Sequence, residues 1–339
     1  MSIPVIAFFN SKGRIGTTSL VYHLSWMFAD LGYRVIAADL DPQASLTTSF
    51  FEEAYLEEFW SGDKHPNTVF GSIQPLIQET GDITQPHIEL IEHGSYRVDL
   101  FGSSIGLLIG DLLLSSLEDE FSDAWLRCLD GNPQAFRVVS VFWRMLQAAA
   151  TTHQADFVLM DLGPNLGAIN RAALIAADYI VVPLVPDVFS LPCLHTLGPA
   201  LSKWRSGWHE RLLKNTIADA PLPTGGIQPI GYIVLQPLAY VSRPVKNWSA
   251  YLPAEYQKYV LGQVVGDKIT ELAQDPYCLA SPKPYHLLLP LVQEARKPMF
   301  HLKPADGALG GHMRATQSAY RDYEQLALAI AKQAGIPTR

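Results

Sequence analysis

This sequence has few cysteines, no paired histidine motif and no long apolar run. Its 339 residues include three cysteines, Cys128, Cys193 and Cys278, whose wide spacing argues against a disulfide framework or a metal site built from cysteine alone. The histidines form no paired-ligand motif, so no zinc site is predicted. No apolar run approaches the roughly 18–20 residues that cross a bilayer, and the first apolar stretch lacks the basic segment of a signal peptide. We therefore expect a cytoplasmic protein with no membrane partner.

Charge is also sparse, and it is unevenly distributed. Charged residues make up 17% of the sequence, below the average of about 25%, so large-scale disorder is not expected. Residues 52–130 contain 16 Asp/Glu against 3 Lys/Arg, a balance of −13, and residues 283–339 contain 8 Lys/Arg against 4 Asp/Glu, a balance of +4. A basic region suits contact with DNA phosphates, although a solvated helix face has the same composition.

Strand-like apolar segments alternate with helix-like ones along the chain. We predict strands at residues 3–9, 34–38, 88–91, 97–101, 156–160, 179–184 and 227–235. We predict helices at residues 18–31, 105–127, 134–152, 166–176, 191–214 and 313–333. This alternation predicts an α/β fold with a mostly parallel, doubly wound sheet flanked by helices. No domain boundary is evident, so we expect residues 1–339 to form a single domain with an acidic, insertion-like region at about 52–135.

A glycine-containing segment follows the first predicted strand and opens the first predicted helix. Its sequence is Asn10-Ser11-Lys12-Gly13-Arg14-Ile15-Gly16-Thr17-Thr18-Ser19. Such a turn lets backbone N–H groups surround phosphate oxygens, and glycines at positions 13 and 16 tolerate positive φ and close ligand approach. The segment resembles the G-x-x-x-x-G-K-[ST] loop, but Lys12 precedes the first glycine and Thr17 stands where the loop lysine belongs. Thr18 follows at the position whose hydroxyl usually binds Mg²⁺.

Two further predicted strands end in carboxylates. One runs into Asp39 and Asp41, and the strand at residues 156–160 runs into Asp161. Because ligands of an open parallel sheet lie at the carboxyl ends of its strands, the three side chains would face the loop as a set that binds metal and positions water. Each could instead cap the helix that follows it, but capping does not account for all three together.

These segments together resemble the ParA/MinD family of deviant Walker-type P-loop ATPases, and more closely its ParA partition side. The resemblance covers residues 1–50, 155–237 and 290–335. It implies the P-loop NTPase fold and a switch in which ATP and Mg²⁺ promote a nucleotide-sandwich homodimer and slow hydrolysis to ADP releases it. It also implies a role in DNA segregation or cargo positioning, with non-specific DNA and a ParB-like or cargo-adaptor protein as partners. DNA binding would make the protein nucleoid-associated.

The resemblance implies roles for individual residues as well. Lys12 would reach the partner's phosphates across the dimer, and Asp41 would position the attacking water; we regard both as catalytic. Thr18 and Asp161 would hold Mg²⁺, with Asp39 supporting the metal shell. The residues implied to bind the nucleotide are Lys12, Gly13, Arg14, Ile15, Gly16, Thr17, Thr18, Ser19 and, near the adenine, Gln236.

Two residues depart from the family loop Lys-Gly-Gly-Val-Gly-Lys-Thr. Arg14 replaces the second glycine, and Thr17 replaces the second lysine, whose charge neutralises the β- and γ-phosphates. A hydrogen bond to a charged group contributes about 1.5–3 kcal/mol, so its loss would weaken binding roughly 10- to 150-fold. Arg14 could replace some of this charge or could point to solvent, and a positive φ would strain it. The alternative function is therefore a hydrolysis-deficient pseudo-ATPase that acts as a regulatory or scaffold partner.

A second catalytic motif competes with this interpretation. Residues 102–106 match the G-x-S-x-G pattern of the α/β-hydrolase nucleophile elbow, with Ser104 as the nucleophile. Five-residue matches arise often by chance, and a hydrolase site would leave the segment at residues 10–19 unexplained. We therefore favour the nucleotide site.

Cations that could form a DNA-binding surface lie in two regions. The first is one predicted helix near Trp204 and Trp208, and the second is the basic C-terminal region. These cations are Lys203, Arg205, Arg211 and Lys214 in the first region, and Arg296, Lys297, Lys303, Arg314 and Arg321 in the second. The sequence alone does not place the two groups on one face.

Overall fold

The molecule is built on an eight-stranded sheet. The computed structural model describes residues 2–62, 65–91, 104–216, 221–235, 248–264 and 271–339. The strands are β1 (Val5–Phe8), β2 (Arg34–Asp39), β3 (Glu89–Ile91), β4 (Ser104–Leu108), β5 (Phe157–Asp161), β6 (Tyr179–Leu184), β7 (Gln228–Val234) and β8 (Cys278–Ala280). Their order is β3-β4-β2-β5-β1-β6-β7-β8, and every neighbouring pair is parallel except β3 and β4. The predicted mostly parallel sheet is confirmed.

Helices cover both faces of this sheet. They are α1 (Thr17–Asp30), α2 (Ser45–Phe50), α3 (Glu53–Trp60), α4 (Val69–Ile77), α5 (Glu118–Arg127), α6 (Pro133–Val139), α7 (Val141–His153), α8 (Ala168–Ala176), α9 (Ser190–Leu212), α10 (Leu252–Glu255), α11 (Leu289–Ala295) and α12 (Gly311–Gln333). Alternate side chains of β1 enter different cores, as the period of a strand requires. Val5 and Ala7 pack with α4 to α9, whereas Ile6 and Phe8 pack with α1 and α12. Of the described helices, none has the length and apolar character needed to cross a membrane.

The helix predicted over residues 105–127 is wrong in its first part. Residues 104–108 form β4, which pairs in parallel with β2, and α5 begins only at Glu118. A short apolar run fits a buried strand and a buried helix segment equally well, so periodicity could not separate them. The strand β8 was missed because it has only three residues, and the strand predicted at 97–101 lies outside the described residues.

The nucleophile-elbow interpretation is also wrong. Ser104 and Gly106 lie within β4, whereas an elbow requires a sharp turn between a strand and a helix. The Ser104 hydroxyl lies 3.0 Å from Nε2 of His153 at the end of α7. The first two residues of the motif lie outside the part of the chain that the structure describes.

Strand register brings the candidate site residues to one edge of the sheet. Asp39 at the end of β2 lies opposite Asp161 at the end of β5, and Asp161 in turn lies opposite Phe8 of β1. The loop that follows β1 therefore leaves the sheet beside both carboxylates.

Candidate nucleotide-binding site

The loop between β1 and α1 presents a cluster of free backbone donors. Gly16 is the N-cap residue of α1 and has φ 95°, a left-handed conformation that glycine adopts without strain. The N–H groups of residues 13–19 donate to no acceptor in the described residues. Free amides are normal in the first turn of a helix, and here the preceding loop adds more. This arrangement suits the oxygens of a phosphate group.

The segment after β5 packs closely against this loop. A Cβ atom at Gly13 would lie 3.3 Å from Cγ of Pro164, which is a tight contact. Ile15 is buried and anchors the loop to the protein. Ser19, in the first turn of α1, contacts buried His23 through its carbonyl, 2.6 Å from Nδ1. Gln236 lies outside the described residues, so its adenine contact stays a prediction.

Asp39 is a buried carboxylate with ordered hydrogen-bond donors. Thr47 at the start of α2 donates to Oδ2 of Asp39 through its backbone N–H at 2.7 Å and its hydroxyl at 2.8 Å. The N–H of Asp41 donates to Oδ1 at 3.3 Å. The segment after β4 packs against it, since a Cβ at Gly110 would lie 2.7 Å from Cγ of Asp39. Asp39 is therefore held in one orientation beside Asp161.

Asp161 lacks well-aligned donors in the described part of the chain. It is fully buried, and neither carboxylate oxygen accepts a hydrogen bond of normal geometry from any described residue. The hydroxyl of Thr18 and the backbone N–H of Leu162 are close enough to oppose the rise in the pKa of Asp161. A buried carboxylate without partners is costly, so this position favours a ligand that supplies positive charge.

Burial raises the pKa of both aspartates. The pKa of Asp39 rises from 3.8 to about 7, with loss of hydration as the main cause and the Thr47 donors opposing it. The pKa of Asp161 rises well above its usual value, first through burial and then through the charge of Asp39. Two carboxylates this close do not both ionise readily unless a cation joins them.

These residues fit Mg²⁺. No group of three or more His, Cys, Asp or Glu side chains in the described ranges is arranged to hold a metal ion alone. Mg²⁺ commonly binds through one or two carboxylates together with phosphates and water. Asp161, Thr18 and Asp39 provide such a partial set beside the phosphate-binding donors.

Asp41 lies in the same region and is almost completely buried. Its Oδ1 accepts a hydrogen bond from the N–H of Gln43 at 2.9 Å, and burial raises the pKa of its carboxyl. A Cβ at Gly163 would lie 2.8 Å from that oxygen, so glycine allows the segment after β5 to approach. The structure brings Asp41 to the site, and its role in positioning water stays a prediction.

Lys12 is engaged in an ion pair. Its Nζ contacts Oδ2 of Asp187 and lies 5.4 Å from the centroid of the Phe189 ring. Asp187 also accepts hydrogen bonds from the N–H groups of Phe189 and Ser190, at 3.0 and 3.1 Å, at the start of α9. A role for Lys12 at phosphates would require it to leave Asp187.

The two unusual loop residues differ in their surroundings. Arg14 has φ 60°, so a non-glycine residue occupies the left-handed region, with the strain expected there. Its side chain is exposed. Thr17 is the first residue of α1 and brings a hydroxyl but no charge to the loop.

The cations proposed for DNA contact do not all reach the surface. Arg211 is buried, with its guanidinium 3.8 Å from the Trp125 ring centroid, and is therefore wrong as a surface DNA contact. Several others make internal contacts: Arg205 with the carbonyl of Ile227, Arg296 with the carbonyl of Phe51, and Lys297 with Asp306. The exposed members are Lys203, Lys214, Lys303, Arg314 and Arg321.

Three side chains that shape the site were not assigned roles from the sequence. Thr47 orients Asp39, and Asp187 binds Lys12. Glu118 contacts the N–H groups of Ala168 and Ile169 at the start of α8. The pairs are 8, 175 and about 50 residues apart, so local patterns do not reveal them. Thr47 and Asp187 lie inside segments that support the resemblance, but the resemblance assigns neither of them a role.

A parallel sheet with a donor-rich loop after β1 and carboxylates on neighbouring strands defines a P-loop nucleotide-binding protein. A family model described as an AAA domain matches residues 3–213, which is more than half of the chain. The chain belongs to this family, as a ParA-like P-loop ATPase.

Curated relatives include partition and positioning proteins. The chromosome-partitioning ATPase Soj of Thermus thermophilus is 27% identical over 207 residues, covering 61% of this chain and 65% of that protein. The cell division protein PomZ of Myxococcus xanthus is 28% identical over 191 residues, covering 56% of this chain and 49% of that protein. The match spans about half to two thirds of the length of these relatives.

Solved structures share the fold over almost the whole chain. The protein DIP2308 of Corynebacterium diphtheriae has a TM-score of 0.68 at 22% identity, covering 97% of this chain and 98% of that one. The pNOB8 ParA bound to nonspecific DNA has a TM-score of 0.54 at 17% identity, covering 97% and 99%. A Cyanothece McdA(D38A)–ATP complex has a TM-score of 0.54 at 14% identity, covering 100% and 98%.

Proposed function

We propose that the chain is a nucleotide-dependent dimerising switch for DNA segregation or cargo positioning. In this proposal ATP binds at the loop after β1 with Mg²⁺, a nucleotide-sandwich homodimer forms, and slow hydrolysis to ADP releases it. The observation that carries the proposal is the fully buried carboxylate of Asp161, which accepts no hydrogen bond of normal geometry from the described residues, beside a loop whose N–H groups at residues 13–19 are free. The N–H groups can bind an anionic phosphate, and the carboxylate can bind a cation.

Protein groups in the site divide into four tasks. The N–H groups of the loop bind phosphate oxygens, and Thr18 and Asp161 hold Mg²⁺ while Asp39 keeps the metal shell in place. When bound, Mg²⁺ neutralises phosphate charge. Asp41 orients a water molecule toward the terminal phosphate, and Lys12 contributes positive charge from one subunit to the phosphates of the other.

The edge of the site supports dimerisation. Exposed apolar side chains lie in the segments after β5 and β6, including Leu166 at 37% exposure, Val188 at 51% and Phe189 at 62%. Grouped exposed apolar side chains are characteristic of interaction surfaces. A second copy of the chain that covers this edge would bring the two Lys12 side chains to the interface.

DNA and adaptor partners follow from the relatives and from surface charge. One structural neighbour is a ParA bound to nonspecific DNA, and Lys203 and Lys214 are exposed on α9 and directly after it. We propose that the second half of α9 and the residues directly after it contact DNA phosphates without reading sequence. A ParB-like or cargo-adaptor protein would be the remaining partner.

Thr17 favours a second candidate function. Without the amino group of a loop lysine, stabilisation of charge on the transferring phosphoryl group is weaker. The chain would then bind nucleotide without hydrolysis, or bind none, and act as a regulatory or scaffold partner of another protein.

Calorimetry and phosphate release separate these functions. ATP binding with Mg²⁺ and hydrolysis are measured for the unaltered chain and for Thr17→Lys. The switch predicts ATP binding and slow turnover in the unaltered chain, with faster turnover in the variant. Binding without turnover would support the hydrolysis-deficient function, and no binding at millimolar ATP would contradict the switch.

A further inference from the structure

We propose that Arg14 is the phosphate-binding cation of this loop and replaces the amino group that Thr17 lacks. This inference deepens the proposed function and rests on it. The ligand of Arg14 would be the anionic phosphate chain of ATP. The family loop has glycine at this position.

Charge balance in the site requires a cation near the phosphates. Asp39, Asp41 and Asp161 are all buried at this edge of the sheet. A bound Mg²⁺ would neutralise charge on the carboxylates, but the phosphates of ATP add further negative charge. Because the donors of the loop are backbone amides, they carry only partial positive charge.

The loop has two cationic side chains, and they differ in availability. Lys12 is paired with Asp187 and packs over Phe189. Arg14 is exposed, and none of the described residues forms an ion pair with it. It is therefore the cation of the loop that can turn toward a ligand without first breaking an ion pair.

The position of Arg14 fits this task. It stands two residues before the N-cap Gly16, between backbone N–H groups that have no described acceptor. A guanidinium presents a planar fork that matches phosphate oxygens in pairs. The segment after β5 packs against this loop at Gly13, and Asp161 at the end of β5, fully buried and without a hydrogen bond of normal geometry from any described residue, independently indicates a ligand site beside the loop.

Backbone conformation makes Arg14 an unfavourable residue for stability alone. Its φ of 60° is one that glycine adopts freely and arginine adopts under strain. Arg14→Gly is therefore expected to raise the melting temperature. If Arg14 does not bind the ligand, Arg14→Gly should raise the melting temperature and leave ligand affinity unchanged. If Arg14 binds phosphate, the same variant should also lose ligand affinity.

A double-mutant cycle tests the inference. Dissociation constants for Mg²⁺–AMPPNP are measured by calorimetry for the unaltered chain, Arg14→Gln, Thr17→Lys and the double variant. We expect Arg14→Gln to weaken binding at least about tenfold in the unaltered background. In the Thr17→Lys background the loss should fall below about threefold, because the introduced amine takes over the same charge.

A control variant removes the same charge elsewhere. Lys332→Gln changes a residue in the last turn of α12. The chain end beyond Lys332 lies beside Gly32, just past the end of α1. The length of α1 places that point roughly 20 Å from the loop. The affinity of this variant should stay within about twofold. Unchanged affinity in both Arg14→Gln and Arg14→Gly would overturn the role of Arg14 and leave the proposed function standing. No binding by the unaltered chain would overturn both.

Discussion

At the scale of single residues, buried charge defines the site. Asp39 and Asp161 lie at the ends of adjacent strands, and burial makes their ionised forms unfavourable. Such carboxylates weaken the ligand-free fold and strengthen the binding of a cation. Stability and ligand binding are therefore opposed at these two residues.

This opposition predicts a pH dependence of stability. Because the pKa of Asp39 is about 7 in the folded chain and near 4 in the unfolded chain, the folded state binds more protons between these values. The unfolding free energy should therefore fall as pH rises from about 4 to about 7. Urea unfolding of the ligand-free chain at pH 5 and pH 8 measures this fall.

Asp39→Asn should reduce the pH-dependent fall by at least about 1 kcal/mol. Asp119→Asn, at an exposed position of α5, is the matched control and should leave it unchanged. An equal fall in Asp39→Asn and in the parent chain would show that Asp39 does not titrate in this range.

Lys12 provides a second prediction for a single residue. Asp187→Asn keeps an acceptor for the N–H groups at the start of α9 but removes the charge that holds Lys12. Since a partly exposed ion pair contributes up to about 1 kcal/mol, the dimer with Mg²⁺–AMPPNP should form about threefold to fivefold more readily.

Sedimentation equilibrium measures the dimer dissociation constant. Asp306→Asn, which breaks the ion pair with Lys297 elsewhere, serves as its control. A weaker dimer in Asp187→Asn would mean that the pair with Asp187 is itself part of the productive arrangement.

At the scale of elements, local pattern explains what could be predicted. β1, the loop and α1 were recognised because apolar run, glycines and helix periodicity follow one another directly in the sequence. Residues 105–108 of β4 fit a helix equally well because this run has no polar side chain, and only pairing with β2 selects a strand. Partners distant in sequence, such as Thr47 for Asp39, depend on how elements pack and leave no local signal.

The start of α8 gives a prediction at this scale. Glu118 of α5 contacts the N–H groups of Ala168 and Ile169, so it caps a helix that follows the segment after β5. Glu118→Ala should destabilise the protein by about 1 kcal/mol, the typical effect of losing a cap. Urea denaturation measures it, with exposed Glu120→Ala as the comparison. Equal stability of the two variants would contradict capping.

At the scale of the whole molecule, a chain of net charge −8 needs a local basic surface to bind DNA. In the proposed DNA contact, Lys203 in the second half of α9 and Lys214 directly after the helix, both exposed, would supply this surface. We expect affinity for non-specific duplex DNA to fall steeply with salt. Lys203→Ala combined with Lys214→Ala should make the negative slope of log K against log salt shallower by about 2.

Fluorescence anisotropy at several salt concentrations gives this slope. Lys332→Ala on α12 removes an exposed cation away from α9 and should leave it unchanged. A salt slope that is the same in the double variant would place the DNA contact elsewhere.

The acidic region is joined to the sheet by packing. Val69, Ile73 and Leu76 of α4 share a buried core with Val5 and Ala7 of β1. The same region contributes β3 and β4 to the sheet. The single-domain organisation stays a prediction, and these contacts support it.

We propose that ATP and Mg²⁺ together assemble the molecule into a dimer through the loop after β1. Sedimentation velocity with AMPPNP tests it most directly, with and without Mg²⁺, for the unaltered chain and for Asp161→Asn. We expect a shift from monomer to dimer only in the unaltered chain with both AMPPNP and Mg²⁺. The same sedimentation coefficient under every condition would contradict it.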